Sequence, residues 1–245
     1  MIFYKWLRRF ALARGHGGEG WLRGAVQASP IMMGYLPVGL AFGVLAQNAG
    51  ISPLNTVLMS LLVYAGASQF IAVGLLAGGV PPVSIILTTF IVNLRHLIMA
   101  SALAPALKGW RRRELAAFAF HLTDETFAVH ATNFAAENPP KPQVFATNVT
   151  AYASWTGGTS LGIVLGQRVT DVQPFALDFA LPALFIVLLV LQVTTRLHVL
   201  VAGIAGIGAV GLLQAGLEHW NVMLATVVGA TIGVCLEQWN KARSS

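Results

Sequence analysis

Long apolar runs, separated by short polar or proline-rich turns, recur along this chain from about residue 24 to its C-terminal end. A helix needs about 20 apolar residues to cross the hydrocarbon core of a membrane. Runs close to that length, which predict seven or eight membrane helices, are 24–49, 53–78, 82–107, 114–136, 143–167, 174–193, 197–215 and 221–238. Because the connections are short, we expect neighbouring helices to pack antiparallel.

The composition favours a membrane protein. Hydrophobic residues make up 56% of the chain and charged residues only 10%, with a mean hydropathy of +0.71, whereas a soluble domain carries about 25% charged residues. No polar linker divides the runs, so we predict a basic cytoplasmic tail at 1–23 and a single transmembrane domain at 24–240. The expected fold class is all-α, a polytopic integral membrane helical bundle with several broken or re-entrant helices.

The basic residues gather mainly in the tail and in the turn at 108–113. Basic residues favour the cytoplasmic side of a membrane, so this distribution is a topology signal and no nucleic-acid partner is expected. If the tail is cytoplasmic and the first three runs all cross, the turn lies outside, against that rule. Eight full crossings leave only this turn in violation, whereas re-entrant second and fourth runs place every basic cluster inside. The sequence leaves both topologies open.

Glycine and proline mark positions where helices break or approach closely. We predict interruptions at Pro37 in the first run, Gly66 in the second and Gly157 with Gly158 in the fifth. Broken helices at membrane depth commonly line transport sites. Four-residue glycine spacing lets helix backbones pack closely, and it occurs at Gly39/Gly43, Gly74/Gly78, Gly158/Gly162/Gly166 and Gly229/Gly233.

Asn93, Arg95 and His96 lie in the middle of the third apolar run. A charge at the bilayer centre costs roughly 2.5 to 3.5 kcal/mol on insertion scales, so such groups face a cavity, the bundle interior or one another. Arg95 stays protonated and therefore needs an acid, backbone carbonyls or a substrate carboxylate. Two interpretations stay open: an ion pair with Asp124 or Glu125 that merely joins two helices, or a role in transport.

His121, Asp124 and Glu125 have the i, i+3, i+4 spacing that predicts one stripe on a helix. Such a stripe could carry protons or bind an ammonium group. The cluster has no companion ligands elsewhere, so no metal site and no cofactor is expected. With Arg95, or the backbone at 66–68, available for a carboxylate, these groups suit a small zwitterionic solute.

Several motifs carry the interpretation further. They are Tyr64-Ala65-Gly66-Ala67-Ser68-Gln69-Phe70, Asn93-x-Arg95-His96 with Met99-x-Ser101, Thr123-Asp124-Glu125-x-Phe127-Ala128, and the segments 33–43 and 155–158. In order and spacing they resemble the AzlC/YgaZ family over about residues 25–170. The resemblance implies the large subunit of a bacterial inner-membrane, multi-pass exporter of branched-chain amino acids, working with a small AzlD/YgaH-type membrane subunit.

We therefore predict an exporter of valine, leucine, isoleucine or similar solutes across the lipid bilayer, with proton coupling as a further hypothesis. The residues predicted to bind or pass the substrate are Tyr64, Gly66, Ser68, Gln69, Asn93, Arg95, His96, Asp124, Glu125 and Trp155. The residues predicted to relay protons are His121, Asp124 and Glu125.

Other functions compete with this prediction. Ser68, His96 and Asp124 supply the residue types of a hydrolase triad, but the chain has neither Gly-x-Ser-x-Gly nor His-Glu-x-x-His. The chain could also be an assembly subunit without its own transport site, or a channel. We predict a transporter and not an enzyme.

Overall fold

The computed structural model describes residues 16–136, 138–166, 195–217 and 221–244, with residues 186, 189, 190 and 193 between them. Every regular element in these ranges is helical, which confirms the all-α prediction. The α-helices are α1 His16–Gln27, α2 Ser29–Asn48, α3 Pro53–Leu58, α4 Gly66–Ala77, α5 Pro82–Leu103, α6 Arg112–Phe120, α7 Asp124–Ala136, α8 Lys141–Gly166, α9 Arg196–Gln214 and α10 Asn221–Ser244. A π-helical turn, Met59–Val63, follows α3, and a 3-10 turn, Ala104–Leu107, follows α5.

The chain forms two compact units. The first comprises 1–70 and 93–177, and the second comprises 71–92 and 178–245. The first unit holds α1 to α3, the start of α4, the second half of α5, and α6 to α8. The second unit holds the remaining parts of α4 and α5 together with α9 and α10. The single transmembrane domain at 24–240 stays a prediction, as does the sixth run, 174–193, which lies mostly outside the described residues.

Three described segments are long and apolar enough to cross a membrane: Ser29–Asn48, Pro82–Leu107 and Arg196–Gln214. Large apolar side chains on α5 and α9 are exposed, among them Phe90, Leu97 and Ile207. Exposed apolar faces of this kind are expected where a helix contacts lipid or another membrane helix. The chain is therefore a helical membrane protein, and the number of its crossings stays a prediction.

Close backbone packing holds α1 and α2 against α8 in the first unit. A Cβ atom added to Gly39 would lie 2.8 Å from the carbonyl oxygen of Trp155, and one added to Gly158 would lie 2.6 Å from that of Leu36. Any larger residue would push these helices apart. The prediction of close packing is confirmed at Gly39/Gly43 and Gly158/Gly162/Gly166. A Cβ at Gly74 would meet no described atom within 4 Å.

Two of the three predicted interruptions are wrong. Helix α2 continues through Pro37, and α8 continues through Gly157 and Gly158. Membrane helices tolerate an internal proline because local adjustments and neighbouring groups satisfy the freed backbone. Gly158 serves the contact with Leu36 on α2, so its sequence signal reflects packing and not a break.

The predicted break near Gly66 is present. The second run passes from α3 into the π-helical turn, ends at Tyr64 with φ 46° and ψ 46°, and restarts as α4 at Gly66. A bulky residue in this left-handed conformation is strained by about 1 to 3 kcal/mol. The Tyr152 hydroxyl donates a hydrogen bond of 2.8 Å to the Leu61 carbonyl, which satisfies one backbone group of the π-helical turn.

The fourth run is also broken. It is not among the three predicted interruptions, although one of the two open topologies makes this run re-entrant. Helix α6 ends at Phe120 and α7 begins at Asp124. Thr123 caps α7 reciprocally: the Thr126 N–H donates to Thr123 Oγ1 and the Thr123 N–H donates to Thr126 Oγ1. His121 therefore precedes the helix that carries the two acids, and the predicted single stripe is wrong.

Candidate functional site

The two chain breaks bring polar side chains together in the middle of the first unit. Arg95 Nη1 on α5 lies 2.8 Å from Asp124 Oδ2 in the first turn of α7. Both side chains are largely buried, with exposed fractions of 26% and 19%. Arg95 Nε is buried and has no hydrogen-bond partner among the described residues. Of the two acids that the sequence offered to Arg95, the structure selects Asp124, and it leaves part of the guanidinium unpaired.

Glu125 has a different environment from that of its neighbour Asp124. Its Oε2 atom lies 2.6 Å from the hydroxyl oxygen of Tyr35 on α2. The same hydroxyl lies 2.7 Å from Thr123 Oγ1. A tyrosine hydroxyl has one proton, which the Glu125 carboxylate accepts. Tyr35 is not among the predicted site residues, although it lies within the family motif at 33–43.

The N-terminus of α4 lies beside Trp155. The first N–H groups of a helix have no partner within that helix, and at α4 these belong to residues 66–68. A Cβ atom at Gly66 would lie 2.9 Å from Trp155 Cη2, so glycine is needed for the indole ring to approach this backbone. The Ser68 hydroxyl donates a hydrogen bond of 2.6 Å to Asn93 Oδ1, joining α4 to α5.

Gln69 and Trp155 belong to a buried chain of hydrogen bonds. Trp155 Nε1 donates to Gln69 Oε1 at 3.2 Å, and Gln69 Nε2 donates to Ser60 Oγ at 3.1 Å. Ser60 Oγ in turn lies 2.8 Å from Thr159 Oγ1. These four side chains are almost fully buried. Their polar atoms are engaged with one another, so Gln69 and Trp155 hold α4 and the π-helical turn against α8.

Tyr64 and His121 lie in an aromatic cluster next to the acids. The ring centroid of Tyr152 is 4.9 Å from that of Tyr64 and 5.1 Å from that of His121. His121 Nδ1 donates to the Ala117 carbonyl at 2.7 Å. No hydrogen bond joins His121 to Asp124 or Glu125 in the described part of the chain, so the predicted relay is not continuous here.

His96 follows Arg95 on α5 and is half-buried. The hydrolase triad would need His96 to hydrogen-bond both Ser68 and Asp124. Ser68 instead donates to Asn93, and Asp124 pairs with Arg95. The triad is therefore not assembled in the described structure.

A second buried polar pair went unrecognised in the sequence. His130 on α7 and Asn148 on α8 are both fully buried, and His130 Nε2 lies 2.6 Å from Asn148 Oδ1. The other polar atoms of the pair, His130 Nδ1 and Asn148 Nδ2, have no partner among the described residues. The sequence signal for this pair was His130, an ionisable residue within the apolar run 114–136.

Comparisons with known proteins identify the family. The AzlC protein family matches residues 30–169, more than half of the chain. An uncharacterized membrane protein of Archaeoglobus fulgidus is 37% identical over 210 residues, covering 84% of this chain and 91% of that protein. The inner membrane protein YgaZ of Escherichia coli is 30% identical over 226 residues, covering 90% of each.

The branched-chain amino acid transport protein AzlC of Bacillus subtilis is 29% identical over 164 residues, covering 66% of this chain and 64% of that protein. No solved structure matches the chain. The motifs, the apolar helices and these relatives agree, and the chain is a membrane protein that belongs to the AzlC family.

Proposed function

We propose that this chain exports branched-chain amino acids together with a small AzlD/YgaH-type membrane subunit, and that the export is coupled to proton movement. The name of the Bacillus relative supports the substrate class. The observation that carries the proposal is the pair of neighbouring acids, Asp124 bound to Arg95 and Glu125 bound to Tyr35. The ring of Tyr35 contacts that of Tyr64, which lies just before α4. The export direction and the partner come from the family resemblance.

The site offers complementary groups for the two ends of an amino acid. The N–H groups at the start of α4, which have no partner within that helix, suit a carboxylate, because a helix N-terminus carries partial positive charge. Glu125 suits the ammonium group, since its described partner is the Tyr35 hydroxyl and not a cation. The rings of Tyr64, Tyr152 and Trp155 supply an apolar surface for an aliphatic side chain.

Asp124 and Arg95 supply the coupling step in this proposal. Protonation of Asp124 removes the negative charge that holds Arg95. The guanidinium is then available to the substrate carboxylate as an alternative to the N–H groups of α4. Deprotonation restores the ion pair and displaces the carboxylate. Because the pair joins α5 to α7, its making and breaking would accompany movement of the two helices, as alternating access requires.

A purely structural ion pair is the competing interpretation, since the same contact fastens two helices. An assembly subunit without its own transport site would contain such a pair. If the pair is only structural, an Asp124 variant with normal abundance and partner binding would still transport. If Asp124 is a coupling residue, the same variant would lose transport.

The test is efflux of valine and leucine from cells fed the corresponding dipeptides. The chain is expressed alone, with its small partner, and with that partner as Asp124→Asn. Glu114→Gln is the matched control, because Glu114 also pairs with a cation, Lys141 at 2.6 Å, but lies outside the site.

We expect efflux only with both subunits, loss in Asp124→Asn and retention in Glu114→Gln. An absence of valine and leucine efflux from membranes that contain both subunits would refute the substrate assignment. Full efflux by Asp124→Asn would refute the coupling role.

A further inference from the structure

We infer that the fourth apolar run, 114–136, does not cross the membrane but enters and leaves it on the cytoplasmic side, and that the basic turn at 108–113 is cytoplasmic. The inference concerns topology and does not depend on the proposed function. It rests on where described residues of the first unit lie along α8.

Helix α8 provides the scale for this argument. Its 26 residues extend about 39 Å, enough to cross a hydrocarbon core of about 30 Å. Helices α1 and α2 run parallel to it, because Gly20 approaches Pro142, Gly39 approaches Trp155, and Val44 approaches Gly166. We refer to the two ends of α8 as the Lys141 end and the Gly166 end.

Both ends of the fourth run lie at the Lys141 end. At its start, Glu114 accepts a hydrogen bond of 2.6 Å from Lys141 Nζ. In the last turn of α7, near the end of the run, Asn133 Nδ2 donates to Gln27 Oε1 at 3.2 Å, and Gln143 Nε2 donates to the same oxygen at 3.0 Å. The run therefore returns to the level at which it began.

The tip of the fourth run reaches only the middle of α8. There the His121 ring lies 5.1 Å from the ring of Tyr152, and Glu125 binds Tyr35. On the return path, His130 contacts Asn148, between the tip and the Lys141 end. Helix α6 has 9 residues and α7 has 13, or about 14 and 20 Å, so neither can cross alone.

The charge distribution orients this end of the unit. Trp110 lies against Lys141, with Nζ 5.2 Å from the ring centroid, so the basic turn that contains this tryptophan also lies at the Lys141 end. The segment at the Gly166 end, residues 44–56, has no basic residue, and the sequence just after Gly166 has a single one, Arg168. By the positive-inside rule, the Lys141 end is cytoplasmic. Its basic residues are Arg23, Lys108, Arg111, Arg112, Arg113 and Lys141.

The second run must then also turn back. Helix α2 ends near the Gly166 end, where Gln47 Nε2 donates to Thr56 Oγ1 at 3.1 Å. Trp110 is again at the Lys141 end. Only the second and third runs lie between these two points, so one of them crosses the membrane and the other does not. Helix α5 is continuous over 22 residues, whereas the second run is broken at Tyr64. The second run is therefore re-entrant from the external side.

Cysteine accessibility tests this topology in the full-length chain. The single cysteine is first replaced by Cys235→Ser. Single cysteines are then introduced as Asn55→Cys, Val80→Cys, Arg112→Cys and Asn138→Cys, with Lys108→Cys as a second position in the basic turn. Spheroplasts are treated with a membrane-impermeant maleimide before and after permeabilisation.

Two positions are internal controls, because Asn55 is external and Asn138 cytoplasmic in both candidate topologies. We expect Val80→Cys to label in intact spheroplasts, and Arg112→Cys and Lys108→Cys to label only after permeabilisation. Eight full crossings predict the reverse at these three positions, with Val80→Cys protected. That result, with both controls behaving as stated, would overturn the inference.

Discussion

Arg95 and Asp124 form an ion pair of 2.8 Å between the middle of α5 and the first turn of α7. The pair connects a helix long enough to cross the membrane with the tip of a run that is broken halfway. Its position next to Glu125 and Tyr35 gives the AzlC family member a cluster of opposite charges at the centre of its first unit.

Exchanging the two charges separates a structural role of this pair from a transport role. Arg95→Asp and Asp124→Arg should each reduce the amount of folded protein, because an unpaired buried charge costs about 3 to 5 kcal/mol when burial is complete and less here. The double variant should regain abundance but not efflux, since the positive charge has moved to α7. Membrane abundance and valine efflux are the two measurements.

The surface control is the double variant Glu114→Lys, Lys141→Glu, which exchanges the charges of an ion pair outside the site. It should keep both membrane abundance and valine efflux. Recovery of efflux in the Arg95→Asp, Asp124→Arg double variant would identify the pair as a structural fastening.

Tyr35→Phe tests the hydrogen bond to Glu125. The substitution removes the hydroxyl 2.6 Å from Glu125 Oε2 and keeps the ring that packs on Trp155. A hydrogen bond to a charged group contributes about 1.5 to 3 kcal/mol to stability, so we expect a lower midpoint of thermal unfolding. We also expect roughly a tenfold or greater loss of efflux per folded protein, because Glu125 loses its described partner. Ser101→Ala, which removes an exposed hydroxyl that bonds only its own helix, should leave efflux unchanged. Equal efflux from Tyr35→Phe and wild type would argue against a role for this contact.

Gly66→Ala should disturb the start of α4. The new methyl group would lie 2.9 Å from Trp155 Cη2, and overpacking of this kind costs about 1 to 3 kcal/mol. We expect a lower midpoint of thermal unfolding in detergent and weaker efflux. Gly74→Ala on the same helix is the control, because no described atom lies within 4 Å of its Cβ position. A neutral Gly66→Ala would show that the indole ring moves away freely.

His130 and Asn148 should stabilise the protein as a unit. Asn148→Leu leaves His130 buried without its partner, at a cost of about 1 to 3 kcal/mol. The double variant His130→Leu, Asn148→Leu should be less destabilised than the sum of the two single variants. A double-mutant cycle on the thermal midpoint measures this coupling. Strict additivity would mean that the hydrogen bond contributes little.

Local patterns in the sequence determined the helical membrane fold, the break at Gly66 and the close glycine contacts of α2 with α8. Hydropathy and helix propensity act within about 20 residues, so they are readable without the rest of the chain. The family motifs likewise selected most of the residues that meet at the site, including Arg95 and Asp124.

Tertiary structure decided which of these residues contact one another. The sequence could not choose between Asp124 and Glu125 as the partner of Arg95, because the choice depends on how the break at 121–123 directs the first turn of α7. It also could not show that Pro37 stays inside a continuous helix or that Tyr35 reaches Glu125 from a distant segment. These outcomes depend on packing between residues far apart in the chain, where long-range geometry and not local pattern determines the contact.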